Sequence, residues 1–482
     1  MSDAILWTAQ EAAAATSGQS IGPDWTATGV AIDSRSVEPG DLFIALRGPN
    51  HDAHGFVADA LAKGAVAAIV AAPPKHLPRD AALIIVADTL HAMEALGRVA
   101  RQRVAAKIVA ITGSVGKTGT KAALAEVLSR HGRTHASVGS YNNHWGVPLS
   151  LARMPRDTEY GVFEIGMNHP GEIRPLVAQV QPHIGLITNV EAVHLEYFHS
   201  VEEIADAKAE IFSGVLPGGV AILGRDGPYF DRLCGHAEAA GIGQILTFGA
   251  HADSLTRLTR DVQHPTCSCV TATVAGTELA YKIGAPGRHW VANSLAVLAT
   301  VQALDGDLAI AGLALADVQA PPGRGQRHHV GWGAGAIEII DESYNASPVA
   351  MRAAFDLLVS AQPGPRGRRI AVLGDMRELG DQADGFHRGL AGELVSRNID
   401  LAFCAGPHMA ALYQALPPAL QGQYVADSEA LLAPVAAALR AGDVVLVKGS
   451  LGSRLGPVVA GLLAMGESNG NHPGMAGTGG GG

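Results

Sequence analysis

Short apolar runs alternate with segments of helical periodicity along most of this 482-residue chain. Runs bounded by glycine, aspartate or asparagine are typical of buried strands, whereas apolar positions spaced by three and four are typical of helices that cover a sheet. Runs of the first kind occur at 41–46, 66–70, 83–86, 108–111, 161–165, 184–189, 220–223, 337–340, 369–373, 401–404 and 443–447. Helical segments include 55–63, 90–103, 121–130 and 202–213. This alternation predicts an α/β fold in which helices cover both faces of parallel sheets.

The chain is long enough for about three domains. The pattern divides it into units at 1–105, 106–320 and 321–465. The third unit begins at 321–325, where two prolines and two glycines predict a hinge. The segment 466–482 is rich in glycine and ends in four glycines, so we expect a disordered tail there.

Composition limits the possible partners. The chain carries 35 Lys and Arg against 45 Asp and Glu, a formal net charge of −10. Because no basic cluster stands out, we expect no nucleic-acid partner. Cys267 and Cys269 lack the usual spacing of a zinc site, so we expect reduced thiols. The start of the chain lacks a signal-peptide pattern and the apolar runs are too short to cross a bilayer, which predicts a cytoplasmic protein.

The strongest chemical signal directly follows the apolar run at 108–111. The sequence there is Thr112-Gly113-Ser114-Val115-Gly116-Lys117-Thr118. Glycines let backbone N–H groups surround phosphate oxygens, the lysine adds positive charge and the threonine hydroxyl can bind Mg²⁺. The general P-loop pattern would need a glycine at Ile111, so this is a shorter form. An ordinary glycine turn would not need both Lys117 and Thr118, and the motif therefore predicts a site for ATP and Mg²⁺.

Three further side chains stand where ligands of a magnesium nucleotide are expected. Glu164 ends a strand, His194 follows the next strand and Lys208 lies in the helical segment 202–213. Taken singly, each has a commoner explanation: a solvated or capped carboxylate, a structural histidine and a surface lysine paired with a glutamate. The residue pattern alone leaves both interpretations open for all three.

Several motifs, in this order, carry a resemblance to a known family. Besides 112–118 they are Tyr141-Asn142-Asn143-His144-Trp145-Gly146-Val147-Pro148, Glu164-Ile165-Gly166-Met167-Asn168, Asn189-Val190-Glu191-Ala192-Val193-His194-Leu195-Glu196, Ala207-Lys208-Ala209-Glu210-Ile211-Phe212 and Asp341-Glu342-Ser343-Tyr344-Asn345-Ala346-Ser347-Pro348. Together they resemble the Mur ligases, which form amide bonds at the expense of ATP in peptidoglycan precursor synthesis. The resemblance covers roughly residues 30–455. It implies an N-terminal UDP-sugar domain, a central P-loop ATPase domain and a C-terminal Rossmann-like domain.

Further motifs indicate which reaction the resemblance implies. They are Asp33-Ser34-Arg35, Pro39-Gly40-Asp41-Leu42-Phe43, Ala45-Leu46-Arg47-Gly48 and Leu373-Gly374-Asp375-Met376-Arg377-Glu378-Leu379-Gly380. They resemble the ligase that adds D-alanyl-D-alanine to UDP-N-acetylmuramoyl-tripeptide through an acyl phosphate. The sequence lacks the Asp-Asn-Pro-Arg signature of the diaminopimelate-adding ligases. The implied partners are therefore these two small-molecule substrates, and we expect a monomer.

The resemblance also implies roles at the phosphates and the metal. Lys117 and Thr118 would bind the β- and γ-phosphates and the first Mg²⁺. Glu164 and His194 would be metal ligands. Lys208 matches a lysine that is carbamylated by CO₂, which would turn a cation into an anionic metal ligand. Lys117, His194 and Lys208 are thus implied in catalysis.

Other implied contacts surround the nucleotide and the substrates. Asn293 would lie beside the base, Arg324 would reach the γ-phosphate as a catalytic residue, and Asp341 and Tyr344 would contact the nucleotide from the third domain. Substrate contacts are implied for Ser34, Arg35, Asn142, Asn143, Asn168 and Lys448.

Two positions depart from the family pattern, and other functions stay open. Gly119 stands where threonine is common, and Trp290 replaces an asparagine often found after the motif histidine. A diaminopimelate-adding or folylpolyglutamate-synthase-like ligase would share the ATP machinery. A P-loop phosphotransferase and an inactive nucleotide-binding module are the remaining alternatives.

Overall fold

The computed structural model of the protein describes residues 5–48 and 51–470. The start of the chain, examined above for a signal peptide, lies partly outside the described residues, as does 471–482 of the expected tail. The last helix extends to Gly470 and so includes the first residues of that tail segment. Within the described ranges, no helix is both long and apolar enough to span a membrane.

The N-terminal part is built on a five-stranded sheet. Its strands, with a separate short pair, are β1 (Trp7–Thr8), β2 (Gln19–Ile21), β3 (Thr26–Ala27), β4 (Gly29–Ala31), β5 (Asp41–Ile44), β6 (Ala67–Val70) and β7 (Leu83–Ile85). Its helices are α1 (Ala9–Thr16), α2 (Val57–Ala62) and α3 (Thr89–Gln102), with a 3-10 turn at Ala53–Phe56. The strand order is β2-β7-β6-β5-β4, and only β2 is antiparallel to its neighbour. β1 pairs with β3.

The central part contains a nine-stranded sheet. Its strands are β8 (Lys107–Thr112), β9 (Thr134–Ala136), β10 (Tyr160–Glu164), β11 (Ile184–Ile187), β12 (Val220–Gly224), β13 (Gln244–Gly249), β14 (Thr256–Gln263), β15 (Ser268–Val274) and β16 (Thr277–Ile283). Its helices are α4 (Lys117–Ser129), α5 (Gly146–Ala152), α6 (Ile173–Val180), α7 (Val201–Ala209), α8 (Phe230–Ala239), α9 (Arg288–Ala303) and α10 (Leu308–Ala314), with 3-10 turns at Glu210–Gly214 and Leu315–Asp317.

The order of the central sheet is β16-β15-β14-β13-β12-β11-β8-β10-β9. The strands from β9 to β14 are parallel, as predicted, whereas β15 and β16 extend the sheet as antiparallel hairpins. Successive residues of β8 enter different cores: Val109 lies in the core beneath α4 and α9, and Ile108 in the core beneath α6 and α7. The sheet is therefore covered on both faces, and the confirmed α/β class follows from this alternation.

The C-terminal part contains a six-stranded sheet in the order β17-β18-β22-β19-β20-β21. Its strands are β17 (Gln326–Trp332), β18 (Gly335–Glu342), β19 (Arg369–Gly374), β20 (Leu401–Ala405), β21 (Gln421–Val425) and β22 (Val444–Lys448). Its helices are α11 (Pro348–Ser360), α12 (Ala383–Ser396), α13 (Met409–Ala415), α14 (Leu432–Ala438) and α15 (Gly456–Gly470), with 3-10 turns at Gly380–Gln382, Pro418–Leu420, Ser428–Leu431 and Leu451–Ser453. Only β17 is antiparallel to its neighbour.

Buried polar contacts fix the N-terminal part to the central part. The indole of Trp7 donates to the carbonyl of Ala152 at 2.9 Å, and the buried guanidinium of Arg101 donates to the carbonyl of Val180 at 2.8 Å. Leu149 of α5 belongs to the same hydrophobic core as the residues of α3. These two parts therefore form a continuous base on which the site is built.

Candidate active site

The P-loop connects the end of β8 to the start of α4. Gly113 has a φ of 148°, and a Cβ there would overlap the Thr188 hydroxyl, so this position requires glycine. The loop is held from outside, because Val115 N–H donates to the Asn189 side chain at 3.0 Å. α4 begins at Lys117 rather than at the predicted residue 121. The N–H groups of its first turn have no partner within the helix and point toward the P-loop. An anion at this helix N-terminus would meet free donors and the positive end of the helix dipole.

Two lysines lie close to this loop. The half-buried Lys117 donates from Nζ to the carbonyl of Gly113 at 2.6 Å, and desolvation lowers the pKa of this amine. Lys208 on α7 is 1% exposed. Burial, and then the neighbouring Lys117 ammonium, lower the pKa of Lys208 well below its usual range. The charged form of this buried amine is therefore disfavoured.

Glu164 is the buried carboxylate of the site. Its Oε1 accepts from Thr118 Oγ1 at 3.2 Å and from Asn142 Nδ2 at 2.7 Å. Its Oε2 is buried with no hydrogen-bond donor, and the nearest cation is Lys121 Nζ at 3.5 Å. An orphaned carboxylate oxygen beside a threonine hydroxyl fits a divalent cation, because hard cations prefer such oxygen ligands.

The metal-binding prediction depends on more than ionisable side chains. Among residues 5–48 and 51–470, no group of three or more His, Cys, Asp and Glu side chains is arranged to hold a metal ion. A cation at Glu164 would thus need the Thr118 hydroxyl and phosphate oxygens as additional ligands.

His194 of the central part contacts a residue of the C-terminal part at the site. It follows β11 with a φ of 57°, and its Nδ1 contacts the carboxylate of Glu378 in a short hydrogen bond. This hydrogen bond from His194 lowers the pKa of Glu378. Glu378 was not among the residues expected to act in the site, although it stands within the 373–380 motif.

The hinge supplies a second bridge between the same parts. Arg324 Nη2 donates to Ser140 Oγ at 3.0 Å, and its guanidinium lies 4.3 Å from the centre of the Tyr344 ring. Ser140 Oγ is 3.3 Å from Thr118 Oγ1. A chain of contacts thus joins the hinge to α4 through Ser140. Sequence reasoning missed Ser140, whose only signal was its place directly before the 141–148 motif.

Most of the predicted residues surround one cavity of about 740 Å³. It is formed by the P-loop, the ends of β10 and β11, α9, the hinge and the C-terminal sheet. The predicted residues that line it are Ser114, Val115, Gly116, Lys117, Thr118, Asn142, Glu164, Asn168, His194, Asn293, Arg324, Tyr344 and Lys448. Lys448 is also held inside the C-terminal part, because its Nζ donates to Glu342 at 2.8 Å.

The other predicted residues lie outside the lining. Arg35 is exposed, and its guanidinium pairs with the Asp33 carboxylate at 2.6 Å. Hydrogen bonds from the Arg35 side chain and backbone N–H lower the pKa of Asp33 to about 2. Ser34 lies in the same turn, where its carbonyl accepts from Lys63. Asn143 caps the start of α5. Gly113, Lys208 and Asp341 are buried and are not among the lining residues, and Asp341 accepts from the N–H of Ser343 at 3.0 Å.

The two departures from the family pattern are neighbours in space. A Cβ at Gly119 would lie 3.2 Å from Asn293 Nδ2 and 3.2 Å from Cη2 of Trp290. Trp290 is 2% exposed and packs in the core beneath α4. A side chain at position 119 would therefore press against the Trp290 ring, and we expect the two departures to compensate each other.

A P-loop on a doubly covered parallel sheet, facing a second α/β unit across a hinge, defines a multidomain nucleotide-dependent enzyme. The comparison with family models identifies its class. Residues 26–104 match the model described as Mur ligase family, catalytic domain, residues 111–301 the Mur ligase middle domain, and residues 323–451 the Mur ligase glutamate ligase domain. The chain belongs to the Mur ligase family, whose members are ATP-dependent ligases that form a C–N bond.

Individual relatives narrow the comparison. The chain is 33% identical to the UDP-N-acetylmuramoyl-tripeptide–D-alanyl-D-alanine ligase of Escherichia coli, with 92% of this chain and 96% of that protein covered. It is 32% identical to the enzyme of the same name from Rickettsia prowazekii, with 89% and 94% covered. The resemblance stated from the motifs is therefore confirmed.

Solved structures agree with this comparison. A crystal structure of MurF from Acinetobacter baumannii superposes with a TM-score of 0.81 at 31% identity, covering 95% of this chain and 99% of that chain. A MurF ligase from Thermotoga maritima in complex with ADP gives 0.73 at 25% identity, covering 91% and 98%. A folylpolyglutamate synthase from Yersinia pestis, at 18% identity and a TM-score of 0.56, shares the fold alone. The predicted three-domain Mur ligase fold is confirmed.

Proposed function

We propose that this protein joins D-alanyl-D-alanine to UDP-N-acetylmuramoyl-tripeptide at the expense of ATP. The observation that carries the proposal is the junction of the P-loop, the half-satisfied Glu164 carboxylate and the hinge Arg324 around one cavity. The choice of substrates is supported by the names that the relatives share over most of this chain. The proposed domains are 1–105 for the UDP-sugar substrate, 106–320 for ATP and 321–465 for the dipeptide and closure.

The reaction requires two anions to meet. The terminal carboxylate of the tripeptide attacks the γ-phosphate of ATP, so that an acyl phosphate forms and ADP leaves. Lys117 and Arg324 supply positive charge where negative charge accumulates. The neutral amine of the dipeptide then attacks the acyl carbon, phosphate leaves, and the nitrogen releases a proton to solvent as the amide bond forms.

Mg²⁺ fits the donors of this site and would be held by Thr118 and Glu164, with His194 and carbamylated Lys208 at a second ion. When bound, it offsets phosphate charge and polarises the transferred phosphoryl group. The chain's own residues position the reactants: Asn142 fixes one oxygen of Glu164, and Ser140 holds Arg324 over α4. Much of the rate acceleration would thus come from orientation.

Cytoplasmic location and a monomeric state belong to the same proposal. Both substrates are soluble precursors, and residues of a single chain line a cavity that holds the P-loop, Glu164 and Arg324 together. Reduced cysteines fit this location, because none of the four thiols is paired in the structure.

Phosphate release with exchanged acceptors tests the proposal. We expect purified protein with ATP, Mg²⁺ and UDP-N-acetylmuramoyl-tripeptide to release phosphate at a rate that depends on D-alanyl-D-alanine. Diaminopimelate or L-glutamate as the amine should give background rates. Preference for either amine would favour the diaminopimelate-adding or the folylpolyglutamate-type alternative, and amine-independent phosphoryl transfer would favour a phosphotransferase.

A further inference from the structure

Glu378 is the acidic side chain of the C-terminal part that reaches a proposed ligand of the central part. Its carboxylate accepts from His194 Nδ1 across 184 residues of sequence. A histidine that donates Nδ1–H to a carboxylate keeps the lone pair of Nε2 free, and such a carboxylate also fixes the ring orientation. His194 lines the cavity, where that nitrogen would be available to a metal ion.

Both partners of this contact have unusual backbone conformations. His194 has a φ of 57° and Glu378 a φ of 63°. Left-handed conformations at residues other than glycine are strained and persist where surrounding contacts enforce them. Two strained residues thus meet at one hydrogen bond, which fits a contact that the surrounding structure holds in place.

The segment around Glu378 is fixed on both sides. Arg377 N–H donates to Ser450 Oγ at 3.0 Å and its guanidinium to the carbonyl of Gly452 at 2.8 Å, so the segment is tied to the loop after β22. On the other side, Glu196 N–H donates to the carbonyl of Glu378 at 3.2 Å. Glu378 is therefore presented to His194 only when the C-terminal part is docked on the central part.

We propose that Glu378 is a positioning residue that orients His194 for metal binding when the C-terminal domain closes. This inference rests on the proposed metal role of His194. If Glu378 has this role, the second metal site is complete only when the C-terminal domain is docked. Phosphoryl transfer would then depend on the arrival of the domain that binds the amine substrate.

The test is a measurement of Mn²⁺ binding by electron paramagnetic resonance in the presence of a non-hydrolysable ATP analogue. We expect Glu378→Ala to raise the Mn²⁺ dissociation constant about tenfold or more, as for other carboxylates behind a histidine ligand. Glu378→Gln, which keeps an acceptor for Nδ1–H, should lose less affinity. Asp381→Asn is the matched control, because Asp381 lies exposed three residues further on the same segment, and it should change nothing.

The double variant separates the possible results. If Glu378 acts through His194, Glu378→Ala should have no further effect on Mn²⁺ binding in a His194→Ala background. Two results would overturn the inference and leave the proposed metal site intact. One is that Glu378→Ala lowers Mn²⁺ affinity equally in the His194→Ala background. The other is that Glu378→Ala alone leaves Mn²⁺ binding unchanged while His194→Ala weakens it. Unchanged binding in His194→Ala would instead overturn the proposed role of His194 and the inference with it. Thermal unfolding of each variant identifies any loss that is due to misfolding.

Discussion

At the scale of single residues, the site is organised around one unevenly satisfied carboxylate. Glu164 accepts two hydrogen bonds on Oε1 and none on the buried Oε2. A buried oxygen without a donor costs about 1–3 kcal/mol, or more when it is charged. The arrangement is stable only if a cation compensates it, and Lys121 at 3.5 Å does so incompletely.

Glu164→Gln should therefore separate folding from function. The amide retains an acceptor for Thr118 but removes the charge, so we expect activity to fall by at least about 100-fold while the fold is kept. Steady-state phosphate release and Mn²⁺ affinity measure the effect. Glu159→Gln is the control, since Glu159 lies exposed directly before the same strand and pairs with Arg133. A similar loss of activity in both variants would contradict the proposed role of Glu164.

The buried Lys208 gives a second prediction at this scale. Lys208→Ala should lose most of its activity, because the carbamate that this amine would form is removed. Short carboxylates such as formate or acetate should restore part of it by occupying the vacated space. The assay is phosphate release with and without added carboxylate, and Lys282→Ala, an exposed lysine, is the control. Full activity in Lys208→Ala would contradict the carbamate.

At the scale of secondary-structure elements, α4 and α9 meet through Gly119 and Trp290. The two positions look like independent departures from the family pattern, yet a side chain on Gly119 would press against the Trp290 ring. The contact between Gly119 and Trp290 limits how closely α9 approaches the P-loop helix α4. It therefore affects the position of Asn293, which also lies on α9.

A double-mutant cycle tests this compensation. Gly119→Thr should destabilise the protein by about 1–3 kcal/mol through overpacking. Trp290→Asn should cost about 3–5 kcal/mol through the cavity that it leaves. Together they should cost less than the sum by at least about 0.5 kcal/mol, because the new side chain fills part of that cavity.

Urea unfolding monitored by circular dichroism measures the three free energies. Gly235→Thr on α8, where a Cβ meets no neighbour, is the control for placing threonine in a helix. Strict additivity of Gly119→Thr and Trp290→Asn would contradict the compensation.

The strands in the middle of each sheet were predictable, whereas many of the other strands and most of the helices were not. The apolar runs that predict strands correspond to β5, β6, β7, β8, β10, β11, β12, β18, β19, β20 and β22. α4 begins four residues earlier than predicted because Lys117-Thr118-Gly119-Thr120 has no apolar periodicity and is made helical by the glycine turn before it. The hairpins of β14, β15 and β16 were missed because their alternating, partly polar pattern lacks a buried run.

The contacts of the site were less predictable, for a physical reason. Periodicity reports which face of an element is buried, but not which distant side chain meets it. Glu378 and His194 are 184 positions apart, and Ser140 reaches Arg324 over the same separation. Such pairs depend on how the sheets are docked, which local sequence does not specify.

At the scale of the whole molecule, the three parts are joined unequally. The N-terminal and central parts share a hydrophobic core and buried hydrogen bonds to backbone carbonyls from Trp7 and Arg101. The C-terminal part meets the central part at the cavity, where Arg324 and Glu378 form hydrogen bonds to it. We therefore expect the first two parts to move as one body and the third to open and close the site.

Arg101→Ala tests this division. It leaves the carbonyls of Val180 and Gln181 without their donor, at a cost of about 1–3 kcal/mol. Hydrogen exchange followed by mass spectrometry should show faster exchange in the first two parts and unchanged exchange in the C-terminal sheet. Arg98→Ala on the same helix, where the side chain is half exposed, should change neither. Faster exchange throughout the chain would contradict independent movement of the third part.

The central claim is that a substrate carboxylate takes the γ-phosphoryl group in this cavity before the amide forms. It is tested most directly with UDP-N-acetylmuramoyl-tripeptide labelled with ¹⁸O in its terminal carboxylate. During turnover with ATP and D-alanyl-D-alanine, one labelled oxygen should leave in each released phosphate, because the carboxylate oxygen that attacks the γ-phosphate departs with it. Mass spectrometry of the phosphate gives the answer. Ligation with unlabelled phosphate would contradict an acyl phosphate and, with it, the proposed route of the reaction in this site.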